Sequence, residues 1–253
     1  MLPLTTMPID SLHLALATCM FLGALLYSTV GHGGASSYIA LMALFSVPVA
    51  VMRPTALVLN LIVATLGSIR YARAGLFRWR TLWPFLVGAM PAAFVGGMIH
   101  VPPEYYRPAM GAVLLFSAAR MLWPRELKAE REWHDPPLWV AILAGIGLGL
   151  LAGLTGTGGG IFLSPLLLFL AWSAPKPASG VVAVFILANS AAGLAGNFAS
   201  VGKLPPELPL YAVAVLAGAL VGTTLGIKLP QKWILRALGL VLLVASAKLF
   251  GVY

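Results

Sequence analysis

The chain has 253 residues, of which 60% are hydrophobic and only 9% are charged. Soluble domains typically carry about 25% charged residues, so this composition indicates an integral membrane protein and not a soluble domain. The formal net charge of +9 would fit nucleic acid as a partner, but the basic residues are dispersed over the loops between apolar segments. Basic and aromatic residues are not interleaved on one face, so no nucleic acid partner is expected.

The first apolar segment follows a short polar start. Residues 1–10 contain no Lys or Arg and include Asp10, whereas a cleavable signal peptide begins with a basic stretch. We therefore expect this segment to stay in the protein. Cys19 lies in it and is the single cysteine of the chain. It cannot form a disulfide within the chain, and a buried, inert thiol is its expected state.

Ten apolar segments can be marked along the chain. A helical span needs about 17–25 residues, so most segments are long enough to cross a bilayer. The two shortest each follow a glycine-rich motif directly, which predicts broken or re-entrant helices there. The segments cover residues 11–30, 35–51, 54–74, 82–100, 105–123, 137–155, 160–173, 177–199, 208–228 and 232–251.

The two halves of the chain resemble each other. Residues 101–122 align with residues 229–250, and a proline, an alanine–glycine pattern and a Val-Leu-Leu run coincide in that register. An accidental match between apolar helices is the alternative. Five segments per half is an odd number, so the second half is expected to be inserted upside down. The predicted fold is an all-α integral membrane protein with two inverted repeats of about five segments each. The repeats cover residues 1–123 and 137–253, and the charged linker 124–136 joins them.

The distribution of basic residues predicts the orientation in the membrane. With residue 1 placed outside, the inner side receives twelve Lys and Arg residues and the outer side receives Arg53, Arg107, Lys203 and Lys248. Cytoplasmic loops carry an excess of basic residues, so both termini are predicted outside and the linker inside. Arg53 has two interpretations: a vestibule charge that attracts anions, or an interface anchor, which we favour.

All acidic residues fall in loops or at the edges of segments. Cation pumps and many proton relays place carboxylates within the membrane, where they are expensive and functional. A negative substrate would meet no such carboxylate here. Neither an aspartate pair nor an H-E-x-x-H zinc motif is present, so no enzyme and no cofactor are expected. The acidic residues are Asp10, Glu104, Glu126, Glu130, Glu132, Asp135 and Glu207.

A glycine-rich signature occurs twice, as Gly31-His32-Gly33-Gly34-Ala35-Ser36 and, 125 positions later, as Gly156-Thr157-Gly158-Gly159-Gly160. Glycine runs are costly within a helix, and more so in a membrane, where unpaired backbone groups find no water. A helix that starts after a glycine turn presents free N–H groups and about half a positive charge. The motifs therefore predict an anion site without formal charge. The alternative is that the glycines only allow close helix packing.

The candidate binding residues belong to these two motifs, together with two polar residues in the middle of apolar segments. His32 could donate to an anion or carry a coupled proton; packing against backbone is the alternative. Asn60 and Asn189 either line the pathway or hydrogen-bond between helices. The full set is Gly31, His32, Gly33, Gly34, Ser36, Ser37, Asn60, Thr155, Gly156, Thr157, Gly158, Gly159, Gly160 and Asn189.

The stretch Val30 to Ser36, with its partner Ala152 to Gly160, resembles the sulfite exporter TauE/SafE family of bacterial membrane proteins. So does the arrangement of Arg70-Tyr71, Gly75 and Trp79 after the third segment. The similarity covers essentially the whole chain. It implies a transporter for sulfite, thiosulfate, sulfonates or related small organic anions in the bacterial inner (plasma) membrane. It also implies that both glycine motifs line the pathway. The resemblance gives a class of substrate and not a molecule.

The predicted function is secondary transport of a small anion, a sulfur oxoanion or organosulfonate, by alternating access between the two motifs. A passive anion channel and a non-transporting membrane scaffold are the alternatives. The expected partners are the small anion and the lipid bilayer, and the oligomeric state is open. No cofactor is expected, and a coupling proton or sodium ion is left open.

Overall fold

The computed structural model describes residues 10–29, 31–122, 133–198, 204–225 and 231–251. This part of the chain is all-helical, as predicted, and contains no strand. Of the predicted linker 124–136, only residues 133–136 are among the described residues. The helices are α1 (Ser11–Thr29), α2 (Ala35–Leu44), α3 (Val49–Arg73), α4 (Trp79–Met98), α5 (Pro103–Leu122), α6 (Leu138–Thr155), α7 (Gly160–Phe169), α8 (Pro175–Gly196), α9 (Leu208–Leu225) and α10 (Gln231–Leu249).

Within the described ranges, five helices are long and apolar enough to cross a membrane by length and composition: α1, α3, α4, α6 and the part of α8 from Lys176–Gly196. The helices after the glycine motifs, α2 and α7, have only 10 residues each. At 1.5 Å per residue they are about 15 Å long, roughly half the thickness of the hydrocarbon layer.

The predicted boundary between the second and third segments was wrong. The second segment was expected to run to residue 51, but α2 ends at Leu44, and α3 begins at Val49 instead of residue 54. Pro48 is the N-cap of α3, with φ −59, because a residue without an N–H fits the start of a helix. Pro54 lies inside α3, so it does not mark the start of that helix.

The backbone repeats the sequence pattern of the two halves. Helices α2 and α7 start at equivalent positions, and their N-caps, Gly34 and Gly159, are both left-handed, with φ 92 and 75. After each short helix one non-glycine residue also has a positive φ, Ser46 (58) and Ala171 (57). Such residues are uncommon. Their recurrence at the same place in both halves shows that the halves share local structure.

Helices of one half pack against helices of the other. The most extensive contacts join α4 to α6, α1 to α9, α5 to α10, α4 to α8 and α3 to α8. Helices α3 and α8 run antiparallel, because Leu57 lies near Gly193 while Tyr71, further along α3, lies near Gly180 at the start of α8. The boundary between the halves therefore passes along α3 and α8.

Glycines outside the motifs bring helices into backbone contact. A β-carbon on Gly149 of α6 would overlap the Ala89 carbonyl oxygen of α4, and one on Gly222 of α9 would overlap the Leu25 carbonyl oxygen of α1. Small residues have this role at helix interfaces in membranes. Large apolar side chains such as Trp139 and Val213, each 68% exposed, lie on the outer surface. An apolar outer surface fits contact with lipid.

Candidate functional site

The two glycine motifs lie against one side chain, that of Asn60 on α3. A β-carbon on Gly33 would overlap Asn60 Oδ1, and one on Gly158 would overlap Asn60 Nδ2. Ile186 of α8 touches both positions, with its Cγ2 at 3.0 Å and 3.1 Å from them. Two turns far apart in the chain thus meet at one point between α3 and α8.

The backbone at both turns requires glycine. Non-glycine residues are strained at a positive φ. Gly33 and Gly160 differ from the others, because close neighbours and not φ exclude a side chain there. Close packing alone therefore does not explain the motifs. The positive φ values belong to Gly31 (77), Gly34 (92), Gly156 (80), Gly158 (72) and Gly159 (75).

Backbone donors collect around the two turns. Among the described residues, the N–H groups of Gly33, Gly34, Ala35 and Ser36 donate to no backbone carbonyl outside regular helix bonding, and neither do those of residues 158–160. The positive N-terminal ends of α2 and α7 lie here. Free N–H groups at a helix N-terminus favour a bound anion.

Asn60 is fully buried, and only one of its two side-chain polar atoms has a hydrogen-bond partner in the described structure. Its Nδ2 donates to Ser190 Oγ at 3.0 Å, whereas Oδ1 has no hydrogen-bond partner among the described residues. An unpaired buried polar atom costs about 1–3 kcal/mol, which is why such atoms are rare in folded proteins. Asn60 therefore links the halves through Ser190 and leaves a polar atom where the turns meet.

The candidate hydroxyl groups hold the turns together in this structure. Tyr27 and Ser36 hydroxyls lie 2.9 Å apart, and Ser37 donates to the Gly34 carbonyl at 2.7 Å. In the second motif Thr155 and Thr157 hydroxyls lie 2.9 Å apart. All of these side chains are buried. These hydroxyl groups have protein partners here, so within the two motifs the unpaired donors are backbone N–H groups.

The neighbours of Asn189 on α8 contact the second motif and the end of α6. Phe185 and Gly193 are one helical turn to either side of Asn189 on the same face of α8. Phe185 contacts Gly159, and Gly193 contacts Gly153 at the end of α6. Asn189 is fully buried, and neither polar atom of its side chain has a hydrogen-bond partner in the described part of the chain.

His32 lies in a crevice between α1, α3, α8 and α9. The crevice has space for about one water molecule and is lined by Ser28, Gly31, His32, Gly33, Tyr71 and Thr223, among others. The His32 ring is half-buried and stands edge-on to Tyr27, with ring centroids 6.5 Å apart. Arg70 donates to Thr223 at this end of α3. The first glycine turn thus borders a crevice that Tyr71 and Thr223 line near the end of α3.

Arg53 closes the other side of the site, and the expectation of an interface anchor is wrong. It is only 7% exposed. Its guanidinium donates to the carbonyls of Ile99 at 2.9 Å, Gly96 at 2.7 Å and Gly97 at 2.6 Å. Carbonyls at a helix C-terminus lack partners within the helix, so the end of α4 attracts Arg53 inward. Arg53 and Asn60 are seven residues apart, a spacing that puts both on one face of α3. This spacing could have indicated from the sequence that Arg53 points inward, as Asn60 does.

A second contact supports this closure. Tyr106 of α5 is buried and donates to the carbonyl of Thr155 at 3.0 Å. The Arg53 side chain also contacts Gly156, whose β-carbon position lies 3.0 Å from Arg53 Cγ. The second glycine turn is therefore covered by Arg53 and Tyr106, whereas the first borders a crevice.

Comparison with known proteins agrees with this architecture. The family model described as "Sulfite exporter TauE/SafE" matches residues 15–249. The "Probable membrane transporter protein y4hK" of Sinorhizobium fredii (strain NBRC 101917 / NGR234) is 37% identical over 244 residues, which are 95% of this chain and 99% of the relative. The "Probable membrane transporter protein YjnA" of Bacillus subtilis (strain 168) is 26% identical over 237 residues, 87% of this chain and 90% of the relative.

No solved structure matches the chain at a significant level. The resemblance carried by the two glycine motifs is confirmed by the family match, which spans nearly the whole sequence. The chain belongs to the sulfite exporter TauE/SafE family and is a membrane transporter.

Proposed function

We propose that the protein carries a small anion, a sulfur oxoanion or an organosulfonate, across the bacterial inner membrane by alternating access. The observation that supports this most directly is the meeting of the two glycine turns at Asn60. Each turn brings a helix N-terminus and free N–H groups to the same point. Such a site replaces the water shell of an anion without using a formal charge.

The placement of acidic residues supports a negative substrate. The described carboxylates are those of Asp10, Glu104, Asp135 and Glu207, at helix ends or outside the helices. None of these four lies in the middle of a helix. An anion at the glycine turns therefore meets no carboxylate from this part of the chain, and Coulomb repulsion in a low-dielectric interior is avoided.

The antiparallel arrangement of α3 and α8 supports inverted repeats. These helices occupy equivalent places in the two halves, and each follows a ten-residue helix. Transporters with inverted repeats bind substrate near the bilayer midplane, at discontinuous helices, and rock one repeat against the other. Helices α2 and α7 would be the re-entrant parts, and both termini would lie outside.

The closed state of the site favours a transporter over a channel. The crevice has room for about one water, less than a sulfite ion needs, and Arg53 covers the opposite side. A passive channel needs a continuous pore. Binding in this protein instead requires the halves to move apart on one side.

Flux into proteoliposomes tests the proposal. The expected result is saturable uptake of labelled sulfite, thiosulfate or a sulfonate that depends on a proton or sodium gradient. Gly158→Ala should lose most of this flux, because a β-carbon there overlaps Asn60. Gly147→Ala is the matched control, since Gly147 has nothing within 4 Å. Unsaturable anion currents would indicate a channel, and absent flux together with absent ligand-induced thermal stabilisation would indicate a scaffold.

A further inference from the structure

We propose that Arg53 closes the site at the end of α4 through its hydrogen bonds to the α4 carbonyls, an arrangement called the latch below. Once that side opens, the same guanidinium holds the anion. This inference rests on the proposed function. In the structure the guanidinium bonds to three neutral carbonyls at residues 96, 97 and 99. The C-terminal end of a helix carries about half a negative charge. Among the described residues, the charge of Arg53 is thus balanced by a helix end and not by a carboxylate.

Arg53 lies on the route to the site. It precedes Asn60 by seven residues, two turns of α3, so both project from one face and lie about 10 Å apart along the helix. Its side chain contacts Gly156, the first glycine of the second motif. An anion that approaches Asn60 from the α4 end therefore passes the guanidinium.

The bonds that hold Arg53 are exchangeable. Its Nε is buried and has no hydrogen-bond partner among the described residues. One N–H donor of the guanidinium is therefore still available to a ligand. An anion adds Coulomb attraction to the charged guanidinium, which a neutral carbonyl oxygen supplies only through its partial charge. An anion that reaches Arg53 can therefore replace the α4 carbonyls. In this way the substrate itself weakens the closure on the side from which it arrives.

The latch exists in one half only. Gly31 of the first motif contacts Tyr71 of α3 and Ser179 of α8, whereas Gly156 of the second motif contacts Arg53 of α3. Neutral side chains thus lie against the first motif where a cationic one lies against the second. The two sides of the site therefore differ in charge.

The guanidinium also sets the class of anion. Its planar fork matches ligands that present two oxygens side by side, such as sulfite, a sulfonate or a carboxylate. A halide offers only a single point of contact. The inference therefore predicts that oxyanions with two or more terminal oxygens are preferred over chloride at this position.

Cysteine labelling tests the latch without any substrate. In a Cys19→Ala background, one protein carries Thr157→Cys, next in the chain to Gly156, which Arg53 contacts, and another carries His32→Cys in the crevice. A membrane-impermeant methanethiosulfonate is applied to either face of oriented vesicles. We expect His32→Cys to react from the crevice face and Thr157→Cys to be protected from the other face. Adding Arg53→Gln should speed the Thr157→Cys reaction from the α4 face by about 10- to 100-fold, because hydrogen bonds from a charged group are lost.

Unchanged labelling after Arg53→Gln would overturn the latch. Should that variant not fold, Arg53→Lys keeps the charge but not the fork and is expected to raise the same labelling by a smaller factor. Arg107→Gln is the matched control, because Arg107 is an exposed arginine on α5, and it should leave labelling as in the parent protein.

Transport kinetics test the contact with the anion. Arg53→Lys should raise the KM for sulfite or a sulfonate by about tenfold or more, and Arg107→Gln should not. A parent protein that carries oxyanions while Arg53→Lys has the same KM would overturn the anion-holding role alone. A parent protein that carries none of the anions would overturn the proposed function and this role with it, while the labelling result would still decide the latch.

Discussion

Asn60 of α3 donates a hydrogen bond to Ser190 of α8 at 3.0 Å, across 130 residues of sequence. The bond joins the two halves of the chain at the point where both glycine turns arrive. Both side chains are fully buried. A movement of α3 against α8 changes this bond directly, so the residues around it are informative ones to change.

Replacing Asn60 by aspartate should abolish anion transport while keeping the shape of the side chain. Asn60→Asp places a carboxylate between Gly33 and Gly158, where an anion is expected, and like charges in a low-dielectric site repel strongly. We expect flux into proteoliposomes to fall by about 100-fold or more, since a repulsion of about 3 kcal/mol suffices for that. Ser190→Ala, which removes one hydrogen bond and adds no charge, is the control and should reduce flux far less. Normal transport by Asn60→Asp would contradict an anion site at this point.

Two glycines with similar backbone angles separate strain from steric overlap. Gly34 and Gly75 have φ 92 and 69, but a β-carbon on Gly34 meets the Tyr38 hydroxyl at 2.6 Å, whereas Gly75 has nothing within 4 Å. Gly75→Ala should lower the free energy of unfolding by about 1 kcal/mol from strain alone. Gly34→Ala should lower it by about 2–4 kcal/mol, because overlap is added to strain. Equilibrium unfolding in detergent measures both, and equal losses would show that the Tyr38 contact is unimportant.

The Tyr38 hydroxyl fixes the first turn by donating to the Gly33 carbonyl at 3.0 Å. Tyr38 is fully buried, so Tyr38→Phe should destabilise the protein by about 1 kcal/mol and raise the KM for the anion as Gly33 loses its support. Tyr105→Phe is the control, because Tyr105 is 67% exposed and should change neither quantity. Thermal unfolding and flux together provide the check, and a Tyr38→Phe protein with an unchanged KM would argue against a supporting role for this bond.

The crevice beside His32 can be filled from α3. Gly67 lines it, and a β-carbon there would lie at an ordinary 3.7 Å from Ala183. Gly67→Ala should therefore keep transport, whereas Gly67→Leu should block it, because a large side chain fills a space that holds about one water. Both variants should remain folded, which size-exclusion chromatography verifies. Full activity of Gly67→Leu would mean that the substrate does not pass through the crevice.

The sequence predicted the helices well because apolar runs and glycine breaks are local features. Ten segments were expected, and the described residues form helices at each of them. The two shortest were expected after the glycine motifs, where α2 and α7 are found. The misplaced boundary between the second and third segments arose because Pro48 and Pro54 can each start a helix, and the local sequence does not decide between them.

The candidate site was only partly readable from the sequence. The consecutive glycines of the two motifs indicated unusual backbone angles. Asn60 was predicted as a candidate because it is a polar residue in an apolar segment. The partner of Asn60 was not predictable, because Ser190 lies on another helix in the other half. Arg53 was misread for the same reason: the carbonyls that bind it belong to the end of α4, more than forty residues away.

By itself, the sequence determined the class of the protein, the family resemblance, the repeated pattern and the positions of the two turns. These follow from composition and from the high cost of unpaired backbone in a membrane, which few residue types can meet. Only the tertiary structure decided that both turns meet at Asn60, that Arg53 covers one of them and that a crevice borders the other. Those relations depend on how distant helices pack, and packing is set by the shapes of all neighbours together.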